Sequence, residues 1–381
     1  MTIETESTFV RDEIDWRQLT EQARAFEGQP VQGDPHLTIA GRASIGMWAK
    51  GIGSRNRIYI DEGYARKAVY GGIIAPGVFL HAMSNSANVP GLHRLGTLLC
   101  SISWRFERPV RVEERVIAST TACGSELKHT RFAGKALLQG VETRYTAMNG
   151  SLYGVANAQC LRYDRSAAVA SKYYAHYHRH KYTLAQLEDI DKAYVAEKIR
   201  GDDSLYLDDV EVGQSIGRLV RGPLNADDVI MFTERTAPKL TYERFLRARL
   251  ENPDIAYFDE YNVPQSYDGS MLLDEVAQRI GLPVAHDSGI QRVAWLEDLI
   301  RNWAGDWSQI RELSVRLIRP NFATFTTWCS GKVTSVNSPE ASDPDVTLQL
   351  ECTNQLGEVT AEGSALVRLP SRVLTHSLLV R

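Results

Sequence analysis

Two stretches of this 381-residue chain hold side chains that could move protons in company. In the first, Tyr59 and Asp61 lie two apart within Asn56-Arg57-Ile58-Tyr59-Ile60-Asp61, and Tyr64 follows. On an extended segment that spacing puts both on one face. A tyrosine of ordinary pKa, about 10, is a proton donor at neutral pH. It suits protonation of a leaving hydroxyl or an enolate oxygen, and the base must then be a carboxylate or an imidazole. The second stretch offers both: His286-Asp287 stands just ahead of an apolar run, where a helix dipole favours the carboxylate. Arg292 lies about one turn into that run. His93 falls in a loop, and Asp268 and Asp274 flank Gly269 to Leu273. For each of these, a cap, a salt bridge or a loop hydrogen bond is the competing role.

The elements that must position these groups come as two copies of one unit. Trp104-Arg105-Phe106-Glu107-Arg108-Pro109 is answered by Val315-Arg316-Leu317-Ile318-Arg319-Pro320. Upstream of each Arg-Pro a glycine heads an apolar helix-like run (Gly77 and Gly289). Downstream of each, an alternating strand begins around an acidic residue (Glu142 and Glu351). Such self-similarity marks a duplicated domain, whose sites are free to diverge. The pattern predicts a leading helix over 14–28, strands up to residue 61, a short helix over 62–70, an apolar helix over 78–85, and strands over 98–162. Residues 166–205 read as a helical linker, with Thr183 capping a helix start. After it come a helix capped by Asn225, a loop over 250–270, a short helix over 274–280, a long helix over 290–303 and strands over 313–369. The units are placed at 1–165 and 206–381.

Composition narrows the function. A net charge of −4 offers no basic surface for nucleic acid, and no apolar run has the length a membrane helix needs. The acidic N-terminus is unlike a signal peptide. Five dispersed cysteines without a C-x-x-C pair fit reduced thiols in the cytoplasm. Cys329 and Cys352 sit in alternating patterns as small buried hydrophobes. His176, His178 and His180 alternate, which is not helical metal-ligand spacing, and no metal is expected there.

Several strings together resemble the MaoC-like acyl dehydratases in their double hotdog form. They include Ile74-Ala75-Pro76-Gly77-Val78-Phe79-Leu80, Pro90-Gly91-Leu92-His93, Asp208-Asp209-Val210-Glu211-Val212-Gly213, His286-Asp287-Ser288-Gly289-Ile290-Gln291-Arg292-Val293-Ala294-Trp295 and Leu369-Pro370-Ser371-Arg372. The resemblance implies an α+β fold in which two central helices, each wrapped by a curved antiparallel sheet, pack as a pseudodimer. It also implies addition or removal of water on thioesters of coenzyme A or a carrier protein, with no metal or other cofactor. Helix-terminal N–H groups at Gly77 and Gly289 would stabilise the enolate oxygen. Substrate contacts would come from Gly77, His93, Asp268, Gly289, Arg292 and Trp295, and proton transfer from Tyr59, Asp61, His286 or Asp287. Further homo-oligomerisation stays open.

The sequence departs from that family where its chemistry resides. Family hydratases carry Gly-Asp-x-Asn-Pro-x-His-x-Asp. Here the first copy has Ser54 and Tyr59 at the Asp and His positions, and the second has Tyr267 and Leu272. Three outcomes are compatible with this: a hydro-lyase with a rebuilt acid/base set; a cyclase, isomerase or lyase repurposed for specialised biosynthesis; or a non-catalytic acyl-binding partner subunit.

Overall fold

A computed structural model describes residues 14–31, 37–236, 242–337 and 344–372. In chain order the first half runs α1 (Trp16–Ala25), β1 (Pro30–Val31), α2 (Arg42–Gly51), α3 (Arg57–Ile60), α4 (Glu62–Ala65), a 3-10 turn (Gly77–Phe79) leading into α5 (Leu80–Met83), then β2 (Gly96–Phe106), β3 (Ile117–Thr130), β4 (Gly134–Thr146) and β5 (Leu152–Tyr163). Next come α6 (Arg165–Ser171) and α7 (Leu184–Ala196). The second half runs β6 (Ser215–Arg221), α8 (Ala226–Thr236), α9 (Tyr242–Glu251), a small hairpin β7 (Ala256–Phe258) and β8 (Pro264–Ser266), a 3-10 turn (Tyr267–Met271), α10 (Asp274–Arg279), α11 (Gly289–Ala304), β9 (Gln309–Leu317), β10 (Thr327–Val336), β11 (Asp345–Asn354) and β12 (Val359–Arg368).

The duplication is written into one ten-stranded antiparallel sheet of order β1-β3-β4-β5-β2-β9-β12-β11-β10-β6. Its two halves meet where β2 pairs with β9, and Ser103 faces Ser314 at the centre of that seam. The sequence offset that relates Arg108 to Arg319 also relates Ser103 to Ser314, so a pseudo-two-fold axis passes between the two serines. Finer detail repeats as well. Glu107 N–H donates to the Tyr153 carbonyl as Ile318 N–H does to that of Thr360. The isolated bridge Ile74–Arg111 recurs as His286–Phe322.

Strand alternation buries one row per strand: Val346, Leu348, Leu350 and Cys352 of β11 all face inward. Cys329 lies opposite Cys352, the sulfurs 3.6 Å apart. This row packs with α11, which is buried from Ile290 to Ala304.

The first half differs from expectation in its helices: Arg57–Ile60 is helical where a strand is expected, and the helix expected to reach residue 70 ends at Ala65. Residues 42–51 form a helix rather than a strand, because Ile45, Trp48, Ala49 and Ile52 recur at helical spacing and are all buried. The helix headed by Gly77 is a 3-10 turn and one α-turn ending at Met83, not a run to residue 85. Local side-chain bonds compete with the helix there: Ser86 N–H donates to His81 Nδ1, and Asn85 Oδ1 accepts from Ala87 N–H. Pro90 lies just beyond. Among the described residues, only the second half therefore has a long central helix.

Candidate active site

A helix enclosed on all sides should be apolar, yet α11 buries Glu297, Asp298, Arg301 and Asn302. Spaced one, four and five residues from Glu297, they share one side of the helix. Each needs a partner, and the partners come from the first half, from the segment between the halves and, for Asp298 and Arg301, from Arg221, Gly305 and Ser308 of the second half itself. The Glu297 carboxylate accepts the N–H of Gly77 at 2.5 Å and that of Val78 at 3.0 Å. Asp298 receives Arg221 at 2.8 Å, and Arg221 also donates to the carbonyls of Ile52 and Gly53. Asn302 donates to Glu197 at 3.1 Å. Past the helix end, Asp306 accepts the Tyr64 hydroxyl at 2.5 Å and the Asn56 amide at 3.5 Å. The first loop that resembles a hydratase motif is thus docked onto the other half's helix.

Within this interface Tyr59 is 2% exposed. Burial pushes its hydroxyl well above the ordinary tyrosine range, Arg301 opposing and Glu297, Asp298 and Asp306 reinforcing. The phenol makes no hydrogen bond among the described residues. Burial also lifts the Glu297 carboxyl to about 7, against the pull of the two N–H groups. The pair of amides that could hold an enolate oxygen at Gly77 is therefore taken by the protein's own carboxylate. Gly77 itself is required by the sheet, since a Cβ there would meet the Phe106 ring at 2.7 Å.

The second half repeats the frame with different occupants. Gly289 again approaches the sheet, where a Cβ would meet the Leu317 side chain, and Leu317 is the counterpart of Phe106. The N–H groups of Gly289 and Ile290 make no hydrogen bond among the described residues. Asp287 forms a buried pair with Arg292, Nε to Oδ2 at 2.7 Å. Arg292 also donates to the carbonyls of Arg319 and Thr360, and Asp287 accepts Asn321 N–H. This network ties the first turn of α11 to the Arg-Pro turn.

His286 points its chemistry elsewhere. Its Nδ1 lies 2.8 Å from the Asp287 carbonyl oxygen. That oxygen can only accept, so Nδ1 carries the proton and Nε2 is bare. The Ser270 hydroxyl lies 3.3 Å from Nε2. Both residues are buried. Burial holds the imidazole below its ordinary pKa, with Asp287 opposing. A neutral imidazole with a bare nitrogen is a general base.

What the first half brings to this neighbourhood is loop rather than helix. The carbonyls of Gly91 and Leu92 accept from Arg162, and those of His93, Arg94 and Leu95 from Arg165. The Arg165 guanidinium lies 4.1 Å over the ring of Tyr267, on the second motif-like loop.

The sequence candidates divide accordingly. Tyr59 and Gly77 belong to the filled interface. His286, Asp287, Gly289 and Arg292 gather at the start of α11. Tyr59 and Asp61 do not share a face: the segment is helical, and two residues of a helix step are about 200° apart. Asp61 instead pairs with Arg57 and caps α4 by accepting Tyr64 N–H. His93 is exposed, Asp268 is exposed on its 3-10 turn, and Trp295 is buried in the main core. Asp274 binds Arg179 and the Ala285 N–H. Sequence reasoning missed Glu297, Asp298, Arg301 and Ser270. Charged residues inside a predicted apolar helix were the available signal for the first three; Ser270 had none. Among the described residues no cluster of His, Cys, Asp or Glu could hold a metal, and no helix is long and apolar enough to cross a membrane.

Residues 26–152 match the family of FAS1-like dehydratase domain regions. Solved structures share the fold over nearly the whole chain. One is a MaoC-like dehydratase, with TM-score 0.64 and 16% identity, covering 92% of this chain and 100% of that one. Another is a MaoC domain dehydratase of Chloroflexus aurantiacus, with TM-score 0.56 and 12% identity, covering 91% and 96%. A third is a conserved hypothetical protein of Mycobacterium tuberculosis with a double hotdog fold, at TM-score 0.52 and 10% identity, covering 90% and 96%. No curated protein matches significantly in sequence. The chain is an α+β double hotdog of the fold found in MaoC-like dehydratases.

Proposed function

We propose that the chain is a hydro-lyase of MaoC-like type on an acyl thioester, carried by coenzyme A or a carrier protein, and that its chemistry resides at the start of α11. The observation that carries this reading is the asymmetry of the two helix starts. At Gly77 and Val78 the N–H groups are held by Glu297. At Gly289 and Ile290 they have no partner among the described residues, and His286 stands three residues ahead with Nε2 bare.

In the dehydration direction, His286 Nε2 takes the α-proton of a 3-hydroxyacyl thioester. Negative charge develops on the thioester oxygen, and the Gly289 and Ile290 N–H groups, aided by the helix dipole, stabilise it there. The imidazolium then returns the proton to the departing hydroxyl, so one residue serves as base and acid in turn. Hydration is the reverse. Asp287 and Arg292 do not exchange protons in this scheme: they fix the segment that carries His286 relative to the helix. Tyr59 stays protonated and structural.

The test is hydration of a panel of trans-enoyl thioesters, followed by loss of enoyl absorbance. Wild type should turn over at least one member, and His286→Gln should lose about 10²–10⁴-fold. A folded His286→Gln with undiminished turnover would sink the assignment. No turnover of any member in either direction would favour an acyl-binding partner subunit.

A further inference from the structure

The Ser270–His286 pair is more than that scheme requires. A proton-transferring imidazole needs a tautomer lock, and the Asp287 carbonyl supplies it. The serine adds a hydroxyl whose one hydrogen bond among the described residues is to the bare Nε2. A buried hydroxyl on a neutral imidazole, with unpartnered N–H groups close by in sequence, is the arrangement of an activated nucleophile. The duplication supplies an internal control. In the first half the position of His286 is Ile74, by the matching bridges to Arg111 and Phe322. The pair therefore belongs to the second half alone, and it stands on the loop whose hydratase Asp and His positions are Tyr267 and Leu272.

We propose that Ser270 is a nucleophile that accepts the acyl group of a thioester, so that the protein also hydrolyses saturated acyl thioesters through an acyl-serine intermediate. This rests on the reading that the start of α11 receives an acyl thioester. Ser270 Oγ attacks the thioester carbonyl carbon and its proton passes to His286 Nε2. The carbonyl oxygen, negative in the tetrahedral intermediate, faces the Gly289 and Ile290 N–H groups. The C–S bond breaks, and the thiolate takes the proton from Nε2 and leaves as the thiol. Water then attacks the ester carbon and gives a proton to Nε2. The C–Oγ bond breaks, and Ser270 recovers its proton from the imidazolium. The products are a free thiol and a carboxylic acid, with water as co-reactant.

A saturated substrate isolates this activity, because butyryl-coenzyme A has no hydroxyl to lose and no double bond to hydrate. Thiol release is followed with a disulfide reagent and the protein mass is read by intact mass spectrometry. Binding of the unreactive thioether analogue, S-butyl-coenzyme A, is measured alongside by calorimetry. Wild type should release thiol, Ser270→Ala should release it at least about 100-fold more slowly, and Ser270→Cys should accumulate one acyl group per chain. If the analogue binds and folded wild type releases no thiol, the nucleophile is overturned while the acyl-binding reading stands. If the analogue does not bind and no thiol is released, both fall. Release undiminished in Ser270→Ala also overturns the proposal.

Discussion

The starts of the two glycine-headed helices share a frame and differ in what fills it. Both glycines lie against the sheet at equivalent residues, Phe106 and Leu317. Both follow, by three residues, an isolated bridge to the segment after Arg-Pro. At Gly77 the amides are closed by Glu297, and the surrounding loop is fastened through Asp298–Arg221 and Tyr64–Asp306. At Gly289 the amides are open, and a His–Ser pair stands where the first half has Ile74. The long helix of the second half fills the first site, whereas the one-turn helix of the first half leaves the second uncrossed. One of two equivalent helix starts is thus an interface, and the other keeps its first two amides free of partners among the described residues.

The comparison can be broken hardest at the buried Asp287–Arg292 pair, whose positions in the first half are held by Ala75 and Leu80. Asp287→Asn leaves Arg292 charged and enclosed, and should cost about 3–5 kcal/mol in chemical denaturation. A loss under about 1 kcal/mol would mean that the pair does not anchor α11. On the other side, Glu297→Ala strips two N–H groups of their acceptor and should cost about 2–4 kcal/mol. An unchanged midpoint would show that the amides are not held by that carboxylate.

Titration sharpens the same point. The Glu297 carboxyl has an ordinary pKa of 4.5 and a folded value of about 7. Between those values the folded chain keeps a proton that the unfolded chain has released. The stabilisation is therefore full below about pH 4.5 and is lost as pH rises through 7. Relative to Glu297→Gln, wild type should lose up to ~3 kcal/mol of unfolding free energy across that window. Parallel pH profiles for the two proteins would contradict the assignment. The smallest effect is expected at Tyr59→Phe, which removes a hydroxyl with no partner among the described residues. Its stability should stay within about 1 kcal/mol and its turnover within a few-fold, as read by denaturation and the enoyl assay.

Much of the frame was legible in the residues. The repeated Arg-Pro marked the duplication and the two glycines the helix starts, because backbone requirements of that kind leave a local trace. The helix over 42–51 was equally local, in Ile45, Trp48, Ala49 and Ile52, but its period was read as strand. The early end at Met83 depends on Ser86 and Asn85 bonding nearby backbone and His81, which composition alone does not rank against helix propensity. The site was harder to read because its decisive contact is distant. Glu297 meets Gly77 across 220 residues, and no spacing along the chain encodes that. His286 was visible as a titratable group beside a helix start. Its tautomer and its partner Ser270 emerge only when the 3-10 turn at Tyr267–Met271 folds against the segment before α11.

The central claim, that one site is filled and the other open, is tested most directly by counting. Titration calorimetry with an acyl thioether of coenzyme A, chosen from the chain lengths that turn over, should give one molecule per chain for wild type. Glu297→Gln and Tyr59→Phe should keep that stoichiometry and hold affinity within about three-fold, while Ser270→Trp, which fills the second site, should abolish binding. Two molecules per chain, or binding that survives Ser270→Trp and disappears in Glu297→Gln, would contradict the account.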